Sequence, residues 1–293
     1  MTLISKGNSI DSREVRRNLN NAGLVPKKSL GQNFLVDSEI ATRIANSFVV
    51  PGLKIFEIGP GLGSLTGYLA IFYKQVIALE KDEAVAATLQ KDLKARHISN
   101  VNVIVGDALK FDFESYAKEH LIQSIIGNLP YNISVPLILT LVEDAISFKD
   151  MVFLVQTEVA HRLCALPGSR NSSFTSLKMR LFTDPELLFD VPNMAFHPVP
   201  KVSSTLIRVT RTNRWIDAYG LSVLDATLRL AKSAFRQRRQ MLRRTLCAPE
   251  LRKAMSVVDV DETDRPENLN LQAWLTLGKE ILDSKINLDQ FRQ

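Results

Sequence analysis

Residues 53–66, LKIFEIGPGLGSLT, give the clearest indication of the fold class of this chain. This stretch joins a short apolar run to a turn with glycine at Gly59, Gly61 and Gly63, and the turn leads into a helix-length segment. Glycine has no Cβ, so the backbone of such a turn can pass close to a bound ligand. The pattern predicts a β-strand, a ligand-binding turn and an α-helix in succession.

Further apolar runs follow at intervals that leave room for a helix between them. The five predicted strands cover residues 53–58, 76–79, 101–105, 123–127 and 151–155. Alternating strands and helices are typical of a parallel sheet with helices on both faces. We therefore predict an α/β fold.

The pattern changes after about residue 211. From there the segments are charged and helical, with interruptions near Pro249 and Pro266. This change predicts a smaller α-helical C-terminal domain. The predicted domains are residues 1–211, which begin with a basic segment over 1–30, and residues 212–293.

The second and third predicted strands each end in an acidic residue. Glu80 lies 21 residues after Gly59, where a nucleotide-binding fold places an acid that accepts both ribose hydroxyls. Asp107 ends the third strand and is suited to accept a hydrogen bond from an adenine amino group. Ligands bind at the carboxyl ends of the strands in doubly wound sheets, so these acids and the glycine turn form one predicted site.

Two cofactor classes fit a glycine-rich turn followed by such an acid. A dinucleotide fingerprint has the form Gly-x-Gly-x-x-Gly, whereas here the third glycine falls one residue early. The run from Glu57 to Gly63 looks like the turn of methyltransferases. The spacing favours S-adenosylmethionine over NAD(P).

The fourth predicted strand ends in Asn128-Leu129-Pro130-Tyr131. An aromatic exocyclic amine is a poor nucleophile because its lone pair is delocalised into the ring. The Asn128 side-chain oxygen and the Leu129 carbonyl could each accept one of its hydrogen bonds, so that alignment replaces a strong base. Pro130 would fix the direction of that carbonyl, and Tyr131 would offer a stacking face to the base. The motif indicates methyl transfer to an aromatic amine.

Basic residues are concentrated in two places in this chain of 293 residues and formal net charge +6. Residues 1–30 contain six basic and two acidic residues, and residues 229–253 contain nine basic residues and one acidic residue. We expect no membrane span, because no apolar run reaches about 18 residues. The scattered cysteines and histidines predict neither a disulfide framework nor a metal site. We expect a cytoplasmic monomer with an acidic partner.

Residues 224–246 contain two stripes at helical spacing. The apolar stripe consists of Leu224, Leu228, Ala231, Phe235, Leu242 and Leu246. The basic stripe is displaced by one residue, about 100° around a helix, and consists of Arg229, Lys232, Arg236, Arg239 and Arg243. The absence of acids from the basic stripe favours contacts with RNA phosphates over a merely solvated face.

Four motifs resemble those of the S-adenosylmethionine-dependent rRNA adenine N6,N6-dimethyltransferases. They are KKSLGQNFL at residues 27–35, EIGPG at 57–61, GNLPYNIS at 127–134 and FHPVPKV at 196–202. The resemblance extends from about residue 10 to residue 246. It implies a class I (Rossmann-like) methyltransferase sheet followed by a smaller helical domain.

The resemblance also implies roles for individual residues. The implied cofactor-binding residues are Gln32, Asn33, Leu35, Gly59, Gly61, Glu80, Asp107, Ala108 and Asn128. The implied catalytic residues are Asn128, Leu129, Pro130, Tyr131 and Phe196. Phe196 would be a second stacking surface that encloses a flipped adenine against Tyr131.

Within this family the chain looks most similar to the bacterial enzymes that dimethylate two adjacent adenosines in the 3′-terminal hairpin of 16S rRNA. That similarity implies S-adenosylmethionine as cofactor and small-subunit rRNA, or an assembling small subunit, as partner. Three alternatives remain: a macrolide-resistance methyltransferase acting on large-subunit rRNA, a non-catalytic RNA- or DNA-binding relative, and a nicotinamide oxidoreductase. The last explains neither the Asn128–Tyr131 motif nor the basic stripe.

Overall fold

The computed structural model describes residues 32–48 and 53–287, together with Arg17. Apart from Arg17, the predicted basic segment 1–30 lies outside these ranges, as do residues 27–31 of the first family motif. The chain forms two compact units. One contains the described residues up to Ala160 together with Glu186–Thr210, and the other contains His161–Pro185 together with the described residues from Arg211 onward. The predicted domains 1–211 and 212–293 differ from these units at residues 161–185 and at Arg211, which belong to the second unit.

All five predicted strands are present, each within one residue of its predicted ends, and the α/β prediction is confirmed. The strands are β2 (Lys54–Ile58), β3 (Gln75–Glu80), β4 (Val101–Val105), β5 (Ser124–Asn128) and β6 (Asp150–Gln156). They lie in the order β4-β3-β2-β5-β6, and every neighbouring pair is parallel. Their carboxyl ends therefore meet at one edge of the sheet.

Two further strands that the sequence patterns do not predict are β7 (Thr183–Val191) and β9 (Ser204–Arg211). They extend the sheet in the order β6-β9-β7, and β9 runs antiparallel to β6 with Gln156 opposite Ser204. Pro185 and acidic residues interrupt any apolar run in β7, so its sequence lacks the pattern of a buried strand. A separate antiparallel pair joins β1 (Phe34–Leu35) to β8 (Phe196–His197).

Aspartates begin three of the helices that connect the strands. Asp37, Asp82 and Asp112 each accept backbone N–H bonds from the first turn that follows, which satisfies donors that have no partner inside the helix. The helices before residue 165 are α1 (Ser38–Ala45), α2 (Thr66–Phe72), α3 (Glu83–Ala95), α4 (Phe113–His120), α5 (Ser134–Asp144) and α6 (Thr157–Cys164).

Strand β2 is buried along most of its length, as expected inside a parallel sheet. The ring of Phe56 lies 5.3–6.3 Å, between centroids, from the rings of Phe111, Phe113, Tyr116 and Phe148. Such aromatic pairs add stability beyond their buried area. This packing holds β2 in place, and the glycine turn follows directly from its carboxyl end.

The second unit is helical and packs around the fully buried Trp274. Its helices are α7 (Phe174–Phe182), α8 (Arg214–Tyr219), α9 (Leu221–Phe235), α10 (Leu242–Thr245), α11 (Pro249–Val257) and α12 (Leu271–Asp283). Pro249 is the first residue of α11 and Pro266 is the first residue of a 3₁₀ turn, so both prolines begin helical segments. Nowhere in residues 32–48 and 53–287 is there a helix that is long and apolar enough to cross a membrane.

Candidate active site

A pocket in the first unit opens at the carboxyl ends of the parallel strands, the edge at which such sheets bind ligands. The structure brings every predicted cofactor residue into its lining. These residues are Gln32, Asn33, Leu35, Gly59, Gly61, Glu80, Asp107, Ala108 and Asn128, and the predicted residues Leu129, Pro130 and Tyr131 join them. Residues that are up to 99 positions apart in sequence thus surround one space.

The glycine turn after β2 depends on the absence of side chains. Gly59 has a φ of +67° and Gly61 a φ of +57°, a region that residues with a Cβ rarely adopt. A Cβ on Gly61 would also lie 3.0 Å from ring carbons of Phe34. The turn therefore brings bare backbone to the pocket wall.

Glu80, the last residue of β3, is buried and held by the backbone on both sides. One carboxylate oxygen accepts the Gly61 N–H at 3.1 Å, and the other accepts the Asp82 N–H at 2.9 Å. Burial raises the pKa of Glu80, and these amide hydrogen bonds oppose that rise. The contacts tie the acid directly to the glycine turn, and they fix an oxygen pair that can accept hydroxyl donors.

Asp107 has a partner that the sequence analysis did not identify. Lys81 Nζ lies 2.8 Å from Asp107 Oδ2, and the Leu109 N–H donates to Oδ1 at 3.0 Å. The hydrogen bond from Lys81, followed by that from the Leu109 amide, lowers the pKa of Asp107. The adenine end of the predicted site therefore presents an ionised acceptor beside a cation. The position of Lys81, directly after the strand-ending acid, was the available signal.

Glu57 is the unexpected group in the pocket wall, because an acid interrupts an otherwise apolar strand. It is 2% exposed, and its Oε2 has no hydrogen-bond partner among the described residues. Burial raises the pKa of Glu57 from 4.5 to about 8; Thr66 opposes the rise and the charge of Glu80 adds to it. The neighbouring Ser64 Oγ, also in the lining, is likewise buried and without a partner in the described part of the chain. Polar groups of a ligand could form hydrogen bonds with Glu57 Oε2 and Ser64 Oγ.

Asn128 ends β5 with its side-chain amide in a defined orientation. Its Nδ2 donates to the backbone carbonyl of Asn33 at 3.1 Å. The opposite orientation would place two oxygens against each other, so this contact assigns Oδ1 to the acceptor role. The arrangement supports the predicted use of Asn128 as a hydrogen-bond acceptor for an amino group.

The three residues after Asn128 form a turn into α5. Pro130 accepts backbone N–H bonds from Ile133 and Ser134, both at 3.1 Å. Tyr131 is half-buried in the pocket lining, and its hydroxyl lies 3.2 Å from Ser204 Oγ. An aromatic ring thus stands three residues from an amide acceptor in the same lining, which suits a planar base with an exocyclic amine.

Phe196 is placed differently from the other predicted site residues. It is 2% exposed, belongs to the apolar core of the first unit, and is opposite Leu35 in the β1–β8 pair. It is not among the residues that line the pocket. Phe196 supports the strand that carries Leu35, and its predicted stacking role stays a prediction.

The predicted stripes over residues 224–246 do not lie on one helix. Helix α9 ends at Phe235, and α10 begins at Leu242 after a turn. The helical pattern breaks because the Leu242 and Arg243 amides donate to the carbonyls of Asp264 and Glu262, at 2.7 and 2.8 Å. Leu224, Ala231, Leu242 and Leu246 are nevertheless fully buried. The apolar stripe thus forms core in both helices.

Most of the basic stripe is exposed. The exposed side chains are those of Lys232, Arg236, Arg239 and Arg243. Arg229 is half-buried, and its Nε lies 3.5 Å from Asp225 Oδ2. Within residues 32–48 and 53–287, neither Lys232 nor Arg239 forms an ion pair. By contrast, Arg252 makes a two-point contact with Glu262, with both distances 2.6 Å. The cations of the second unit therefore differ in how far their charge is already neutralised.

Solved structures that share this fold include the following two. The chain superposes on a dimethyladenosine transferase from Plasmodium falciparum with a TM-score of 0.76 and 23% identity, over 86% of this chain and 98% of the other. It superposes on the 23S rRNA methyltransferase ErmE with a TM-score of 0.65 and 24% identity, over 85% of this chain and 99% of the other. These similarities confirm the predicted class I methyltransferase fold.

Sequence comparison is more specific. The chain is 33% identical over 273 residues to the Ribosomal RNA small subunit methyltransferase A of Moorella thermoacetica, covering 88% of this chain and 93% of the relative. It is 36% identical over 259 residues to the protein of the same name from Buchnera aphidicola, covering 87% of this chain and 96% of the relative. The family model described as Ribosomal RNA adenine dimethylase matches residues 24–283. The chain therefore belongs to the ribosomal RNA adenine dimethylase family.

Proposed function

We propose that this chain transfers methyl groups from S-adenosylmethionine to N6 of two adjacent adenosines in the 3′-terminal hairpin of small-subunit (16S) rRNA. The product is N6,N6-dimethyladenosine, formed during small-subunit biogenesis in the cytoplasm. The observation that carries this proposal is the orientation of Asn128, whose amide donates to Asn33 and so presents Oδ1 as an acceptor in the pocket that also contains Glu80.

The lining fits S-adenosylmethionine in several respects. Gly61 leaves space that a Cβ would fill, and the buried polar atoms of Glu57 and Ser64 lack partners within the described residues. Glu80 would accept the ribose hydroxyls, while Asp107 and Ala108 would contact the adenine. When bound, the cofactor supplies an electrophilic sulfonium methyl group.

The residues after β5 would prepare the nucleophile. In the first transfer, the Asn128 oxygen and the Leu129 carbonyl would each accept a hydrogen bond from one N–H of the target amine, which directs the nitrogen lone pair towards the methyl group. In the second transfer one N–H remains, and one of the two oxygens would accept it. Each transfer would release one amine proton and leave the cofactor as its thioether, S-adenosylhomocysteine. Alignment and electrostatics can supply much of the rate without a strong base. Tyr131 would stack on the base once it has left the RNA helix, as enzymes that modify bases require.

The relatives' names support small-subunit rRNA as the substrate, since the two relatives described above, 33% and 36% identical to this chain, are both named for that subunit. The exposed cations of the basic stripe would contact phosphates. Such contacts provide affinity that depends little on sequence and falls with salt.

The proposal is tested by offering labelled S-adenosylmethionine with undermethylated small subunits and, separately, with large-subunit rRNA, followed by nucleoside analysis. We expect N6,N6-dimethyladenosine in the small-subunit RNA alone. Label confined to the large-subunit RNA would make the chain a resistance-type methyltransferase. Cofactor binding without any label in either RNA would support the non-catalytic alternative.

A double substitution, Lys232→Gln with Arg239→Gln, tests the basic stripe. If each cation contacts a phosphate, rRNA affinity should fall about 3- to 10-fold per residue and the salt slope should decrease by about 2 in total. S-adenosylmethionine affinity, measured by calorimetry, should not change. Arg252→Gln is the matched control, because its charge is already paired with Glu262, and it should bind rRNA like the wild type. Equal losses in both variants would contradict a specific role for the stripe.

A further inference from the structure

The hydroxyl of Tyr131 has a buried partner that the catalytic role of the tyrosine does not require. Tyr131 and Ser204 share a hydrogen bond of 3.2 Å between their hydroxyl oxygens. Ser204 is only 1% exposed and is not part of the pocket lining. Stacking on a base uses the face of the ring, so the hydroxyl at its far end is available for an anchor.

Ser204 lies in a part of the sheet that strand pairing and side-chain hydrogen bonds hold in place. It is the first residue of β9 and is opposite Gln156 of β6. The next residue, Thr205, donates to Asp190 at 2.6 Å and contacts the Thr157 hydroxyl at 3.0 Å. Because these contacts join the start of β9 to β7 and to the first residue of α6, the Ser204 hydroxyl has little freedom to move.

The Asn128 amide and the Tyr131 ring are therefore held by separate hydrogen bonds. Asn128 is held by the Asn33 carbonyl on one side of the pocket, and Tyr131 is held by Ser204 through β9. The turn between them could otherwise rotate the ring relative to the amide. Two anchors restrict that rotation and keep the ring and the acceptor at a defined separation.

We infer that Ser204 is a positioning residue for methyl transfer: it holds the Tyr131 ring so that a stacked adenine presents its amine to Asn128. The inference rests on the proposed function and adds to it a residue outside the pocket. Reaction rates are sensitive to small errors in alignment. Loss of the anchor should thus slow the chemical step more than it weakens RNA binding, which depends on many phosphate contacts.

The test uses Ser204→Ala, Tyr131→Phe and the double variant in single-turnover methyl transfer to undermethylated small subunits. Each single variant removes the same hydrogen bond and keeps the aromatic ring. We expect each to slow the reaction about 3- to 10-fold, the range for one neutral hydrogen bond. The double variant should be no slower than the slower single variant, because the two changes break one contact. Half-saturating RNA concentration should stay within about twofold of the wild type.

Ser203→Ala is the matched control, since Ser203 is the exposed neighbour of Ser204. It should react at the wild-type rate. A Ser204→Ala rate equal to that of Ser203→Ala, or losses that simply multiply in the double variant, would overturn the inference. Failure of the wild type to methylate small-subunit RNA would instead overturn the proposed function. Thermal melting of all variants separates a loss of positioning from a loss of folding.

Discussion

Asn128→Ala is expected to slow methyl transfer about 100- to 1000-fold, the usual effect of removing one oriented polar group that acts in the transition state. The side-chain oxygen that would accept an N–H bond of the target amine disappears in this variant. The affinity for S-adenosylmethionine should stay within a few-fold of the wild type, because Glu80, Asp107 and the glycine turn keep their contacts. The loss should appear in the single-turnover rate.

Two companion variants make this prediction specific. Asn128→Asp keeps an acceptor oxygen but loses the N–H bond to Asn33 and places a negative charge beside that carbonyl, so we expect an intermediate loss. Asn213→Ala changes an exposed asparagine in the second unit and should leave the rate unaltered. A rate for Asn128→Ala within a few-fold of the wild type would remove Asn128 from the catalytic role.

The second large effect concerns Glu57 and the pH dependence of stability. Because burial raises the pKa of this carboxyl from 4.5 to about 8, the folded protein keeps a proton that the unfolded chain loses between those values. The contribution of Glu57 to the free energy of unfolding should therefore fall as pH rises, by about 1.4 kcal/mol per pH unit and about 4 kcal/mol between pH 5 and pH 8.

Glu57→Gln tests this directly, since glutamine resembles the protonated acid and does not titrate. Urea unfolding at pH 5, 6.5 and 8 should show the variant close to the wild type at pH 5 and progressively more stable than it at higher pH. Glu83→Gln, an exposed change in α3, should follow the wild-type pH dependence. A difference between Glu57→Gln and the wild type that does not change with pH would contradict the buried, protonated state of Glu57.

Much of the site could be predicted because its residues follow strand ends. The five parallel strands were found from short apolar runs, and the topology of a parallel sheet then places Gly59, Glu80, Asp107 and Asn128 at one edge. That inference needs only local patterns and a general rule about sheets. The family motifs added Gln32, Asn33 and Leu35, which local patterns alone did not connect to the pocket.

Contacts between distant parts of the chain could not be predicted in this way. Ser204 meets Tyr131 only because β9 turns back beside β6, and β9 was not recognised as a strand. Periodicity likewise suggested one helical segment through residue 246. Periodicity could not show that the backbone N–H groups of Leu242 and Arg243 donate to the carbonyls of Asp264 and Glu262. The Tyr131–Ser204 contact and the break before Leu242 both involve hydrogen bonds between distant parts of the chain, which local sequence patterns do not show.

The placement of Phe196 shows a different limit. A motif can transfer an expected role to a residue, but burial depends on every neighbour of that side chain. Here β8 pairs with β1 and the Phe196 ring becomes part of the core next to Leu35. A stacking role would require the ring to reach the pocket lining. Leucine keeps most of the apolar volume of Phe196 but has no aromatic ring, whereas alanine loses both. If Phe196 only packs in the core, Phe196→Leu should melt and transfer methyl groups nearly like the wild type, and Phe196→Ala should be less stable. If the ring stacks on the base, Phe196→Leu should also transfer methyl groups more slowly.

Mapping the modified positions tests whether this chain dimethylates two adjacent adenosines of small-subunit rRNA. Undermethylated small subunits are incubated with S-adenosylmethionine and either the wild type or Asn128→Ala, and the extracted rRNA is analysed by primer extension. N6,N6-dimethylation blocks base pairing, so the wild type should produce stops at two adjacent adenosines in the 3′-terminal hairpin. In an incubation just long enough for the wild type to complete methylation, Asn128→Ala should produce these stops in no more than about 1% of the rRNA. Stops elsewhere, or unaltered hairpin adenosines after the wild type has transferred its label, would contradict the account.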